Sequence, residues 1–136
     1  MTVVVDTNVV VSATFWPRSE DRRFFVLLAQ RKFRLAVTDV ILREYRSLLV
    51  RIGQAECPDR DPTPFLDWIE RVASLVEPAP LGKRRSRDAS DDPFLACALA
   101  SHAQFLVTKD KDLLALNKPF GVEIVAPREF YRKLES

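Results

Sequence analysis

Two cysteines in 136 residues, Cys57 and Cys97, are too few and too far apart to build a disulfide framework. With no CxxC pair and no neighbouring histidine they do not make a zinc site either. Both read as reduced thiols, and Cys97, within a run of small apolar residues, reads as core. Histidine is scarcer still. His102 stands alone, late in an expected helix, and reads as a surface or core residue. No serine or cysteine nucleophile with a matching base is visible, so covalent catalysis has no apparent machinery. Long apolar runs are also missing. None approaches the roughly 18 residues of a membrane span, and the apolar start is broken early by Asp6 with no basic segment before it. No membrane association is expected, and the reading is of a cytoplasmic protein. A net charge of +2 is too near neutral to announce a nucleic-acid binder, so any such signal has to come from local clustering. Repeats and low-complexity segments are absent, and the length suits one domain with one core over residues 1–136.

What is present is an alternation of strand and helix signals. The β-branched run Val3-Val4-Val5 reads as a strand buried on both faces, followed by turn and cap chemistry at Asp6-Thr7-Asn8. Helices are expected around residues 21–32, 40–52 (closed by Gly53), 65–73 and 93–103, with a short helical turn over 112–116 and a last helix from Pro127. Further strands are expected at 35–38, 75–77, 105–107 and 123–125. Prolines exclude regular structure between Pro58 and Pro64, and residues 78–90 read as a long loop of the kind that is functional or disordered. Strands alternating with helices imply an α/β fold: a short central parallel sheet covered on both sides, a three-layer α/β/α sandwich.

The informative step is to place the acids on this plan. Asp6 follows the first strand and Asp110 follows the strand 105–107, so both fall at C-terminal strand ends. Helices in right-handed βαβ units run antiparallel to the strands, which brings their N-terminal ends to the same edge. Asp91 and Asp92 stand at the start of the helix that opens near Pro93, and Glu44 lies in the second turn of the helix after strand two. Four separate segments thus deliver carboxylates to the edge where open α/β sheets bind ligands. Each acid alone has a plainer reading. Asp6 or Asn8 can cap the next turn, Asp92 before Pro93 matches an N-cap, and Asp112 suits a cap for the short turn after it. Glu44 falls among Val40, Ile41, Tyr45, Leu48, Leu49 and Ile52 at about 100° per residue, near one margin of the apolar stripe. A salt bridge to an arginine is its structural alternative.

Converging carboxylates need a reason to coexist. Two like charges about 4 Å apart repel by roughly 4 kcal/mol at an effective dielectric of about 20. Hard divalent ions such as Mg²⁺ or Mn²⁺ prefer oxygen ligands and remove the conflict. Such an ion also acidifies a bound water and neutralises a leaving oxygen, which is the chemistry of phosphodiester hydrolysis. Beside the acids, Lys83-Arg84-Arg85-Ser86-Arg87 places four cations in five residues, a phosphate clamp or else a solvated loop, and Arg43, Arg46 and Arg51 add charge on the outer face of the Glu44 helix.

With these residues in place the sequence resembles the PIN-domain family, particularly the VapC-type toxins of bacterial toxin–antitoxin pairs. The resemblance is carried by Val3-Val4-Val5-Asp6-Thr7-Asn8, by Leu42-Arg43-Glu44-Tyr45, by the stretch from Asp88 to Ala96 that contains Asp91 and Asp92, and by Leu106 to Leu114. It implies a PIN-like three-layer fold and Mg²⁺- or Mn²⁺-dependent endoribonuclease activity on RNA. It also implies a tendency to form homodimers and inhibition by a small antitoxin protein. The family's four acids carry over to Asp6, Glu44, Asp91 and Asp110, with Asp6, Asp91 and Asp110 as metal ligands. Asp92 competes with Asp91 for the third place, and Asp112 is a secondary acid. Lys109 stands where many relatives have a small residue, as a phosphate contact or a surface lysine. Two other readings stay open: a catalytically silent RNA- or partner-binding module on this fold, and a phospho-receiver domain. The receiver is opposed by the single acid after strand one and by the lack of a phosphoacceptor aspartate after a middle strand. Phe15 and Trp16 read as a partner surface or as core under the first loop.

Overall fold

The computed structural model describes residues 1–16, 18–81 and 92–135. Its centre is the most strongly β-branched part of the chain. Thr2–Val5 form β1, and Val3, Val4 and Val5 have no solvent exposure. Successive side chains on a strand point to opposite faces, so three fully buried in a row require both faces of the sheet to be covered. The other strands are β2 (Arg34–Val37), β3 (Ser74–Leu75), β4 (Phe105–Val107) and β5 (Glu123–Val125), all parallel. Their order is β3-β2-β1-β4-β5. The helices are α1 (Thr7–Phe15), α2 (Arg22–Ala29), α3 (Asp39–Glu56), α4 (Thr63–Val72), α5 (Asp92–Ser101), α6 (Lys111–Leu114) and α7 (Pro127–Glu135). α5 packs on β1, β2 and β4, and α7 on β4. The expected α/β/α layering around a parallel sheet is therefore what forms.

The strand order fixes where a site can lie. The chain steps from β1 outward to β2 and β3, then crosses back over β1 to place β4 and β5 on the other side. Between β1 and β4 the direction of winding reverses, and the C-terminal strand ends at such a switch point are where open α/β sheets bind ligands.

Several boundaries differ from the sequence expectation for physical reasons. α1 was not expected as a helix, because VVVSATF is β-branched and apolar on every side and shows no 3.6-residue stripe. It forms because it is buried all round, with Val9, Val10, Val11, Ala13 and Phe15 in the core. Its last carbonyls are satisfied from outside, Ala13 by the Arg22 Nε–H at 2.9 Å and Thr14 by the Arg60 guanidinium at 3.3 Å. α3 does not stop at Gly53 but runs to Glu56. Gly53 does not adopt a positive φ, and a Cβ there would make only ordinary contact with the Phe15 ring at 3.4 Å, so nothing stops the helix at this residue. α4 begins at Thr63, inside the proline-rich stretch, because Pro64 occupies the first turn, where its missing N–H has no helical partner to lose. β3 forms at Ser74–Leu75, slightly earlier than expected, and both its residues are exposed. Among the described residues, no helix is long and apolar enough to cross a membrane.

Candidate active site

The register of β1 and β4 builds the site. Val5 lies opposite Val107, and the Asp6 N–H donates to the Val107 carbonyl at 2.9 Å, so Asp6 and Thr108 leave adjacent strands side by side. Thr108 is completely buried, and its hydroxyl donates to Asp6 Oδ2 at 2.6 Å. The same hydroxyl oxygen accepts the Asp110 N–H at 2.9 Å, which bends the chain so that Asp110 becomes the cap of α6. There Asp110 Oδ1 accepts the Asp112 N–H at 2.8 Å.

α3 brings the fourth element. Thr38 caps it, its hydroxyl oxygen accepting the Ile41 N–H at 3.2 Å. One turn later the buried Tyr45 donates its hydroxyl to the Val5 carbonyl, the residue before Asp6. Tyr45 thereby ties α3 to the end of β1. Its neighbour Glu44, half-buried, accepts the Thr7 hydroxyl through Oε2.

The electrostatics follow from this packing. Asp6 is 6% exposed. Burial pushes its carboxyl above the usual carboxylate range, and the negative charges of Glu44 and Asp110 push it further. The Thr108 hydroxyl and the Thr7 N–H act the other way. Among the described residues, none of the influences on Asp6 is a cation. Burial also raises the Tyr45 phenol well above its ordinary value, so it stays a neutral hydrogen-bond donor. The buried Cys97 thiol is pushed up to about 12 by burial, which removes it as a thiolate ligand or nucleophile and agrees with a core role.

These groups suit a hard divalent cation chemically. The donors are oxygens, they carry like charge, and Asn8 in the first turn of α1 keeps a buried Oδ1 with no hydrogen-bond partner among the described residues. The set is not complete within that range: among the described residues no three acid, histidine or cysteine side chains converge closely enough to hold an ion. Asp91, the expected third acid, lies outside the described residues, as do Lys83, Arg84, Arg85 and Arg87.

A family model described as a PIN domain matches residues 2–112, from β1 to the first turn of α6, and so takes in every acid above. The chain belongs to the PIN-domain family. PIN domains are typically metal-dependent ribonucleases. The crystal structure of PAE2754 from Pyrobaculum aerophilum is similar to this PIN domain, with a TM-score of 0.64 over 98% of this chain and 88% of that one. At 19% identity the likeness speaks for the fold. A comparison with curated proteins found no match.

The PIN fold thus brings Asp6, Glu44 and Asp110 into one neighbourhood, as their strand and helix positions implied. Other expectations need correction. Asp112 is not the cap of the short turn; it sits in the first turn of α6 and gives its N–H to the cap, Asp110. Asp92 is the first residue of α5 rather than a cap ahead of it. The apolar stripe of α3 runs through Ile41, Tyr45 and Leu49, while Val40 is 45% exposed. Arg46 is not a free cation on α3, since it pairs with Asp67 and Glu70 of α4. Phe15 is core and Trp16 is exposed. His102 is exposed in the left-handed turn that ends α5, at φ 54°. Sequence reasoning missed Thr7, Thr108 and Tyr45, the three hydroxyls that hold the site. The available signal was a threonine directly after one strand-end acid and another two residues before the second.

Proposed function

We propose that this chain is an endoribonuclease that hydrolyses RNA phosphodiesters with water, using Mg²⁺ or Mn²⁺. One observation carries the reading. The buried Asp6 carboxylate shares its surroundings with Glu44 and Asp110 and, among the described residues, is met by hydroxyl and amide donors but by no positive charge. Asp6, Asp110 and Asp91 or Asp92 are the residues that would hold the ion. When bound, it supplies the missing positive charge and the acidified water that phosphodiester hydrolysis requires.

The chain's own residues do the positioning. Thr108 fixes one oxygen of Asp6 and the backbone of Asp110 with a single hydroxyl. Thr7 fixes one oxygen of Glu44, the acid assigned to orient and deprotonate the water. Capping α6 uses one oxygen of Asp110 and leaves the other for the site. Lys83, Arg84, Arg85 and Arg87 are assigned to the RNA phosphates.

RNA incubated with Mn²⁺ or Mg²⁺ should be cut, EDTA should stop the reaction, and Asp6→Asn should be inactive. RNA binding without cleavage in several divalent metals would instead favour a silent binding module. The biological role in this reading is that of a toxin held by a small antitoxin, with the toxin acting as a homodimer. A groove of about 490 Å³ between α1, α2 and α4, lined by Phe25, Val26, Phe65 and Trp68, supplies apolar surface for such a partner. Co-purification with the product of the adjacent reading frame, and the mass of the free protein in solution, test these two points.

A further inference from the structure

Lys109 lies between the two site residues of the β4–α6 loop, yet its side chain serves a different carboxylate. Its Nζ donates to Asp21 Oδ2 at 2.5 Å. Asp21 ends the connection between α1 and α2, and its side chain is 7% exposed against 43% for Lys109. The direction is seen in the partners: neighbouring side chains go to different aspartates, Thr108 to Asp6 and Lys109 to Asp21.

The segment that receives Lys109 is itself fixed on several sides. The Asp21 N–H donates to Ser19 Oγ at 3.1 Å, and Ser19 Oγ is 2.7 Å from Ser12 Oγ of α1. Glu20 pairs with Arg128, and its carbonyl accepts the Tyr131 hydroxyl at 2.8 Å, both from α7. Lys109 therefore joins the short loop after β4 to a segment already anchored to two helices. A carboxylate as deeply buried as Asp21 has given up its water and needs a counter-ion, so the partnership is held from both ends.

The geometry points to Lys109 as a positioning residue, whose pair with Asp21 holds the Thr108–Asp110 loop in the shape the site requires, and not as a phosphate contact. This rests on the nuclease reading for its catalytic consequence, but the tether itself can be measured without metal or RNA. An ammonium committed to Asp21 could reach a phosphate only by stranding a buried charge.

Two backbone amides report the loop directly: Asp110 N–H, bonded to Thr108, and Asp112 N–H, bonded to Asp110. Hydrogen exchange of these two amides, followed by NMR in metal-free Lys109→Met, should be at least tenfold faster than in wild type, with the β1 amides unchanged. Lys109→Met leaves Asp21 unpaired and can fail to fold, so the Asp21→Asn/Lys109→Met double variant, which removes both charges, is measured alongside and should show the same loss of protection. Lys109→Arg should restore it. Calorimetric titration with Mn²⁺ should give affinity about tenfold weaker in the double variant, and RNA cleavage should show kcat reduced about tenfold with KM within twofold. The salt dependence of single-stranded RNA binding, measured in the inactive Asp6→Asn background, should keep its slope when Lys109 is changed. A slope reduced by about 0.7, the amount one lost phosphate contact predicts, would overturn the proposal. So would unchanged amide protection in the double variant. If wild type neither cuts RNA nor binds Mn²⁺, the nuclease reading fails, and the amide measurements still decide whether the tether exists.

Discussion

Two aspartates of this protein are almost equally buried, Asp6 at 6% and Asp21 at 5% exposure, and each stands directly before a helix without making a side-chain cap bond. Consecutive residues of one loop attend to them, Thr108 to Asp6 and Lys109 to Asp21. The resemblance ends at charge. Asp21 receives a full positive charge and forms a closed pair. Asp6 receives a neutral hydroxyl, with Glu44 and Asp110 for neighbours, and its carboxyl is raised by burial and by both acids. A buried carboxylate is therefore not in itself the mark of a reactive centre. The mark in the nuclease reading is one that meets no neutralising charge among the described residues.

Four measurements would break or sharpen that contrast. The largest effect is expected for Asp6→Asn. Cleavage of RNA in Mn²⁺ should fall by at least roughly a thousandfold, which corresponds to about 4 kcal/mol of activation free energy. In metal-free buffer the same variant should be more stable than wild type, by the roughly 0.5–2 kcal/mol common when a strained functional site is relaxed. A variant that stays active would dissolve the distinction between the two aspartates.

The opposite sign is expected next door. Lys109→Met should destabilise the protein by about 1–2 kcal/mol in denaturant unfolding, less than a fully buried pair would give because the lysine is partly in water. Stability that did not move would mean that Asp21 needs no counter-ion.

Thr108→Val comes third. Losing a hydroxyl that bonds both Asp6 and the Asp110 N–H should cost about 1–2 kcal/mol and raise the Asp6 carboxyl further, moving the acid limb of the cleavage profile to higher pH.

The pH dependence is the smallest effect. Asp6 in the folded protein has a raised pKa, so between its unfolded and folded values the unfolded chain gives up the proton first. Metal-free stability should then decline as pH rises through that window and level off above it, while cleavage, which needs the ionised form, increases over the same window. Unfolding curves of wild type and Asp6→Asn, compared from acid to neutral pH, should differ in this slope, and saturating Mn²⁺ should cancel it.

The layering of the fold was legible because the strands advertise themselves. Val3-Val4-Val5 can only be buried on two faces, and the strands at 105–107 and 123–125 form where expected. Strand order was not visible in the pattern, but the placement of acids at strand ends survived because every strand is parallel. α1 escaped detection since a segment with no polar face has no period to read, and α3 outran its expected stop since Gly53 stays helical instead of taking the left-handed conformation of a cap. At the site, Asp6, Glu44 and Asp110 could be found from position alone. Thr7 and Thr108 left only their nearness to those acids as a signal, and Tyr45 left none, because their pairings join residues far apart in the chain, such as Tyr45 with Val5. Asp21 was invisible for the same reason, its partner lying 88 residues away.

The bond between Thr108 and Asp6 spans 102 positions. Its consequence concerns timing. Contacts of such long separation are slow to close, so local helices such as α1 and α3 can form before Asp6 meets β4. A prematurely terminated product lacking β4 carries Asp6 and Glu44 but neither Thr108 nor Asp110, and cannot complete the constellation. In the nuclease reading, the cutting activity appears only once β4 has been made and has paired with β1.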